Sequence, residues 1–167
     1  MNKPDFSELV EAHGRELHAY LWRLLGDEAE AQDCLQDAFV RALRAYGKIH
    51  DTRFLRAWLY KIATNTARSR QVQGARRAAR ETEWLEPLAA PGGVEAAVTQ
   101  RHQLAQLRRA VRSLPARQQA ALMLRKYQEL DYAEVAAALG CSQAAARANV
   151  YQALKKLRQW FKENEHD

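Results

Sequence analysis

The chain has 167 residues, with 26 Lys+Arg against 20 Asp+Glu for a formal net charge of +6, and only 7 Gly and 4 Pro. That length suits one domain or two small ones, and an apolar content of 47% favours a folded chain over a disordered one. No apolar run approaches the roughly 20 residues that a bilayer span needs, and acidic residues stand where a signal peptide carries its apolar stretch. A cytoplasmic protein with no direct membrane insertion is expected.

The first 52 residues carry a net charge of −4, and their apolar positions recur at helical spacing. Phe6, Leu9, Val10, Leu17, Leu21 and Leu24 mark one helix; Leu35, Ala38, Phe39, Ala42 and Tyr46 mark a second. Asp27 and Glu30 are placed to form a capping box at the start of the second helix, and the stretch from Gly47 to Asp51 reads as the loop that follows it. A third helix is marked by Leu55, Trp58, Leu59, Ile62 and Thr66, completing a three-helix unit over roughly residues 5–78. Residues 53–80 hold eight Arg and Lys and no acid. A solvated helix face would normally mix in Glu at i±4, so this stretch points to a polyanionic partner.

Residues 82–93, TEWLEPLAAPGG, hold two of the four prolines and a Gly pair, and 81–99 carry a net charge of −4, so a flexible acidic linker is expected here. Beyond it, Leu104, Leu107, Val111 and Leu114 predict a helix, and Pro115 suits the first position of the next, over about 115–128. Residues 100–128 again hold seven bases and no acid. Asp131 and Glu134 predict another capping box, ahead of an apolar stripe of Tyr132, Val135, Ala136 and Leu139 that Gly140 can end. Ser142 can cap a last helix whose inner face is Ala146, Val150, Ala153, Leu157 and Phe161. No useful strand pattern appears, so the fold class is all-α: two small helical domains on a flexible tether.

Three groups of residues carry chemistry. A short helix, a turn containing Gly140 and a basic helix match the helix-turn-helix, and the outward positions Gln143, Ala144, Arg147, Asn149, Tyr151 and Lys155 include side chains suited to base edges. Residues 53–77 interleave Phe54, Trp58 and Tyr60 with Arg and Lys, the composition of a single-strand platform; Trp58 is read as core, and Arg53, Phe54 and Arg56 as solvent-facing. Asp33, Gln36, Asp37 and Arg41 share one helical side with no His, nucleophile or metal geometry beside them. Cys34 and Cys141 have no partner at ligand spacing and are expected to be small buried hydrophobes, so no metal or cofactor is indicated. The five His are scattered and no Gly-rich phosphate loop exists, so an enzyme is not expected.

AEAQDCLQDAFVRALR (29–44) and FLRAWLYKIATNTARSRQVQGARR (54–77), followed by LRRAVRSLPARQQAALMLRKYQELDYAEVAAALGCSQAAARANVYQALKKLRQWF (107–161), resemble regions two and four of the extracytoplasmic-function sigma factors of bacterial RNA polymerase. The resemblance implies region two over 1–80, a linker over 81–97 and region four over 98–167. It implies core polymerase (the β′ clamp helices and the β subunit) and promoter DNA as partners, and an anti-sigma protein that wedges between the domains. By motif, Asp33, Gln36, Asp37 and Arg41 would dock on polymerase. Tyr46, Arg53, Phe54, Arg56, Lys61, Asn65, Arg68 and Arg70 would hold the minus-ten element, with a flipped base taken up near the 46–53 loop. Arg125, Ser142, Gln143, Arg147, Asn149, Tyr151 and Lys155 would read the minus-thirty-five element. Ser69 departs from the usual family residue, which bears on the capping of its helix segment; Ala145, Asn149 and Gln152 depart from it in the recognition helix, so promoter preference is not carried over. The alternative is a stand-alone helix-turn-helix regulator binding operator duplex as a dimer.

Overall fold

The computed structural model describes residues 2–81 and 95–165, which contain seven helices and no strand. The expected linker at 82–93 lies outside the described residues. In the N-terminal half, α1 (Phe6–Leu25) opens where the Asp5 N–H donates to Glu8 Oε2 at 3.0 Å and closes at Gly26, in the left-handed conformation at φ +73. Next, α2 (Glu28–Tyr46) opens on the Asp27 carboxylate, which accepts from the Glu30 N–H at 2.9 Å; among the described contacts only this half of the expected capping box forms. The third helix, α3, spans Leu55–Glu81.

These helices pack through the predicted apolar faces. Leu17, Leu21, Ala31, Cys34, Ala42, Leu59 and Ala63 are buried between them. The numerous alanines let the helices approach closely, and the larger rings fill what remains. Tyr20 donates to Thr64 Oγ1 at 2.8 Å and Thr64 passes its own proton to the Tyr60 carbonyl at 2.6 Å, so the buried phenol is satisfied; burial raises its pKa. Thr66 joins the stripe because its hydroxyl donates back to the Ile62 carbonyl at 2.8 Å. Burial pushes the Cys34 thiol up to about 11, in keeping with an inert core residue, whereas Cys141 is only half-buried, at the turn that the helix-turn-helix exposes.

The C-terminal half holds α4 (Glu95–Ser113), α5 (Ala116–Lys126), α6 (Tyr132–Leu139) and α7 (Gln143–Glu163). Pro115 stands one residue outside α5, as its N-cap rather than its first residue. The Asp131–Glu134 box closes in both directions at 2.8 and 3.0 Å, Gly140 ends α6 at φ +64, and Ser142 Oγ accepts from the Ala145 N–H at 3.1 Å. The inner stripe of α7 is buried at Ala146, Val150 and Ala153; at its far end Phe161 is exposed and packs edge-on against Trp160. The two halves touch: α6 packs along α3, α5 reaches α1, and the buried apolar side chains of both form one cluster.

Candidate nucleic-acid interface

On α2, Asp33, Gln36 and Arg41 are exposed and Asp37 is partly so, one helical turn apart in the series 33, 37, 41. Arg41 donates from Nε to Asp37 Oδ1 at 3.3 Å, so these two charges face solvent already paired. Val40 and Leu43 stand beside them, 47% and 57% exposed, an apolar complement that charge patterning alone does not reveal. Behind Asp37 and Arg41 a cleft of about 370 Å³ runs between α2 and α3 and includes Glu30, Ser69 and Arg70. Arg70, expected on the DNA strand, thus faces α2, with Nη1 3.9 Å from Glu30 Oε2, so the structure groups it with the α2 face instead.

The loop and the start of α3 place the expected strand-binding residues in three environments. Arg53 and Phe54 are exposed, and Arg53 forks onto Asp51 with Nη2 to Oδ2 at 2.7 Å, which holds the Asp51 carboxyl down at about 2. Lys61 and Asn65 are exposed one turn apart, and Arg68 is half-buried. Tyr46 is corrected: it is a core ring, packed between Phe6 and Trp58, with its hydroxyl donating to the Pro4 carbonyl at 2.6 Å and its pKa raised by burial. Trp58 packs partly buried against the core, as expected.

Arg56 also departs from its expected place. Read as solvent-facing, it instead bridges the two domains. Its guanidinium forks onto Glu16 of α1, Nε to Oε1 at 3.0 Å and Nη2 to Oε2 at 2.7 Å, and Nη2 also donates to the Gln128 carbonyl at 3.0 Å. Gln128, in the turn after α5, is 8% exposed. Its amide donates to the Glu16 carbonyl at 2.8 Å and to Tyr60 Oη at 2.6 Å, and its Oε1 accepts from Arg23 Nη1 at 3.0 Å. A main-chain carbonyl can only accept and a guanidinium can only donate, so these neighbours fix the amide's orientation. Around the rim, Glu134 Oε1 lies 3.7 Å from Arg56, Arg23 lies over the Tyr127 ring at 4.8 Å, and a Cβ on Gly140 would sit 3.9 Å from Lys61 Nζ. Burial pushes the Glu16 carboxyl up, but the Arg56 and His13 hydrogen bonds outweigh it and hold the carboxyl below its ordinary value; the bond to Glu16 raises Arg56 in turn.

In the C-terminal domain Ser142, Gln143, Arg147, Tyr151 and Lys155 are exposed at the start and along one side of α7, with Tyr151 61% exposed. Asn149 is half-buried and spends its amide on the Ala145 carbonyl at 2.9 Å, which turns it back onto its own helix. Arg125 is half-buried, donating to the Leu130 carbonyl at 3.4 Å. Arg125 and Arg147 share one support: their guanidinium carbons lie 5.0 and 4.8 Å from the centre of the Tyr132 ring. Tyr132 was read only as part of an apolar stripe, and nothing in the spacing shows that two cations flank it. Among the described residues no group of three or more His, Cys, Asp or Glu is placed to hold a metal ion, and no helix is long and apolar enough to cross a membrane.

A three-helix domain whose third helix is basic, followed by a helix-turn-helix domain, defines the class: an all-α protein of two small helical domains. The Sigma-70 region 2 family matches residues 9–78, and the Sigma-70, region 4 family matches residues 104–157. The RNA polymerase sigma factor NccH of Alcaligenes xylosoxydans xylosoxydans is 31% identical, covering 91% of this chain and 84% of its own. The ECF RNA polymerase sigma factor SigG of Mycobacterium tuberculosis is 32% identical over 92% of this chain and 48% of its own. The fold is shared with the sigma factor RpoE from Bartonella quintana, solved with the anti-sigma factor NepR, at a TM-score of 0.70 and 23% identity over 95% of this chain and 97% of that one. The chain belongs to the sigma-70 family, as an extracytoplasmic-function RNA polymerase sigma factor. The match of the N-terminal half leaves the stand-alone regulator unsupported.

The Glu16 carboxyl supplies a pH test of the domain contact. A carboxyl held below its ordinary value of 4.5 contributes fully above that pH, and the contribution drains away as pH falls through the lowered value. Solution scattering is expected to show the domains loosening as pH drops below 4.5. Glu16→Gln should be looser at neutral pH and insensitive across the same window.

Proposed function

We propose that residues 1–80 act as the polymerase-docking and minus-ten domain, 81–97 as the tether, and 98–167 as the minus-thirty-five reader. The observation that carries this reading is the contrast between two exposed sets of residues: Asp33, Gln36, Asp37 and Arg41 on α2, with Val40 and Leu43, are mixed-charge and apolar, whereas Arg53, Phe54, Lys61 and Asn65 are cationic, aromatic and polar. The α2 face docks on the β′ clamp helices, with Val40 and Leu43 as its apolar centre. The α3 side takes the opened strand, where stacking on an aromatic ring is worth about 1–3 kcal/mol per base, against a cost of a few kcal/mol for each base removed from the duplex. Promoter opening without a nucleotide-driven step needs several such gains together. The reaction remains polymerase's; this chain positions DNA and is not itself an enzyme. It works in the cytoplasm, and an anti-sigma protein is its inhibitor. A wedge between the domains would have to displace the Gln128 contacts.

On the duplex side, Gln143, Arg147, Tyr151 and Lys155 line the groove-facing side of α7, and Ser142 sets the helix start against the backbone. Tyr132 holds Arg125 and Arg147 at fixed positions, so that less rotamer freedom is lost when they bind DNA.

Run-off transcription with core polymerase on a promoter library is expected to yield promoter-dependent transcripts only when the protein is added. Asp33→Arg combined with Asp37→Arg should abolish recovery of core polymerase in a pull-down while leaving helical circular dichroism unchanged. Unaltered recovery overturns the α2 assignment. Tyr132→Leu should weaken holoenzyme binding to a selected promoter by roughly 0.5–2 kcal/mol, the range of a cation–π contact, with Tyr132→Phe close to wild type. Equal losses in the two variants would remove Tyr132 as the positioning ring.

A further inference from the structure

We propose that the segment before α1, Lys3 to Asp5, is a strap that sets the loop between α2 and α3 in its base-receiving form, with Lys3 as the positioning residue. This inference rests on the reading that this loop and the start of α3 meet the opened strand.

The end of α2 calls for such a partner. The last carbonyls of a helix have no partner within it, and the aligned peptide dipoles leave partial negative charge there. Beyond Tyr46 the chain turns tightly: the Lys48 N–H donates to the Ala45 carbonyl and the Ile49 N–H to the Tyr46 carbonyl, both at 3.1 Å. Lys3, 43 and 46 residues away in sequence, donates from Nζ to the Tyr46 carbonyl and to the Ile49 carbonyl, the latter at 2.8 Å. One cation thus ties the last residue of α2 to Ile49 in the loop that follows. Its ammonium also lies 4.0 Å from the centre of the Tyr46 ring.

The residues around Lys3 grip the same aromatic. The Pro4 carbonyl accepts from the Tyr46 hydroxyl at 2.6 Å, and Phe6, at the start of α1, packs on the Tyr46 ring with centroids 5.4 Å apart. Pro4 also disfavours a helical Lys3, so α1 does not run back through the strap. On the loop itself Ile49 packs against the core, whereas Lys48, His50, Asp51, Arg53 and Phe54 are exposed. Its far end is closed by Asp51 Oδ1, which accepts from the Arg53 N–H at 3.0 Å. The loop is therefore fixed on both sides of His50, by Lys3 before it and by Asp51 after it. A base that reaches a site already formed does not have to order it, which saves affinity. Lys3 does this without touching DNA: it is half-buried and its ammonium is spent on the two carbonyls and the ring.

The experiment compares the full chain with Lys3→Met, which removes the charge and the donors, and Lys3→Arg, which keeps both. In the free proteins, Lys3→Met is expected to exchange its amide hydrogens about tenfold faster over residues 48–53, with the amides of α1 and α3 unchanged and Lys3→Arg matching wild type. With core polymerase, fluorescence anisotropy reads binding of a labelled single-stranded DNA carrying the minus-ten element of a promoter that the wild-type holoenzyme selects, beside a scrambled strand of the same composition. The Lys3→Met holoenzyme should lose about tenfold on the selected strand and stay within about twofold on the scrambled one, because apparent affinity falls with the fraction of molecules in the receiving form. Unchanged exchange overturns the strap. Faster exchange with unchanged discrimination between the strands overturns its role in base capture. A Lys3→Arg protein as loose as Lys3→Met overturns the cation as the agent. A wild-type holoenzyme that does not discriminate between the strands marks failure of the minus-ten assignment itself, and the exchange result still decides whether the strap holds the loop.

Discussion

The contact between the two domains combines the packing of α6 along α3 with the hydrogen bonding of one neutral residue, Gln128. Gln128 meets four partners on the other domain, three through its side chain and one through its main-chain carbonyl, and is nearly closed off from water. Each such bond replaces one to solvent, so its net worth is only about 0.5–1.5 kcal/mol, but leaving any of these groups buried without a partner costs about 1–3 kcal/mol. A contact of this kind is specific without being permanent. When the domains part, every group it releases finds water at once. A purely apolar seam of similar extent would hold the halves together more firmly and expose a sticky surface on opening.

The helices themselves were legible in the sequence because their information is local. The apolar stripes of α1, α2 and α3, the Asp131–Glu134 box, the Gly140 stop and the Ser142 cap all rest on residues within a few positions of one another, and they form as the spacing requires. The lapses concern side chains whose environment is set from far along the chain. Arg56 looks solvent-facing within its own helix, but its partners lie 40 and 72 residues away. Tyr46 sits at the end of a helix beside a loop, where a base could stack, until the N-terminal segment folds over it: the Lys3 ammonium rests on its ring and donates to its carbonyl. Arg70 shares a helix with Lys61 and Asn65, but its position turns it toward α2.

Tyr132 illustrates a different limit. An aromatic residue in an apolar stripe is normally core, and Tyr132 does pack against it. Its ring also has faces, and Arg125 and Arg147 occupy the space over them from α5 and α7. Hydropathy treats the ring as apolar bulk and carries no account of its quadrupole, so a pattern search files it with leucine. Only the crossing of three helices reveals that the residue organising the cationic face is itself uncharged.

Charge accounts for the partners that Arg56 takes. The stretch from 53 to 80 has no acid of its own, so its cations must find counter-charge elsewhere. Glu16 and Glu134 supply it to Arg56. The Arg56–Glu16 pair is well made, but both partners give up hydration to form it, so its net stabilisation is smaller than its geometry suggests. A DNA strand offers phosphates in series and releases counterions as it binds, a gain that grows with the number of cations engaged. One carboxylate can satisfy one arginine, whereas a row of cations is matched only by a ligand whose charge repeats along its length.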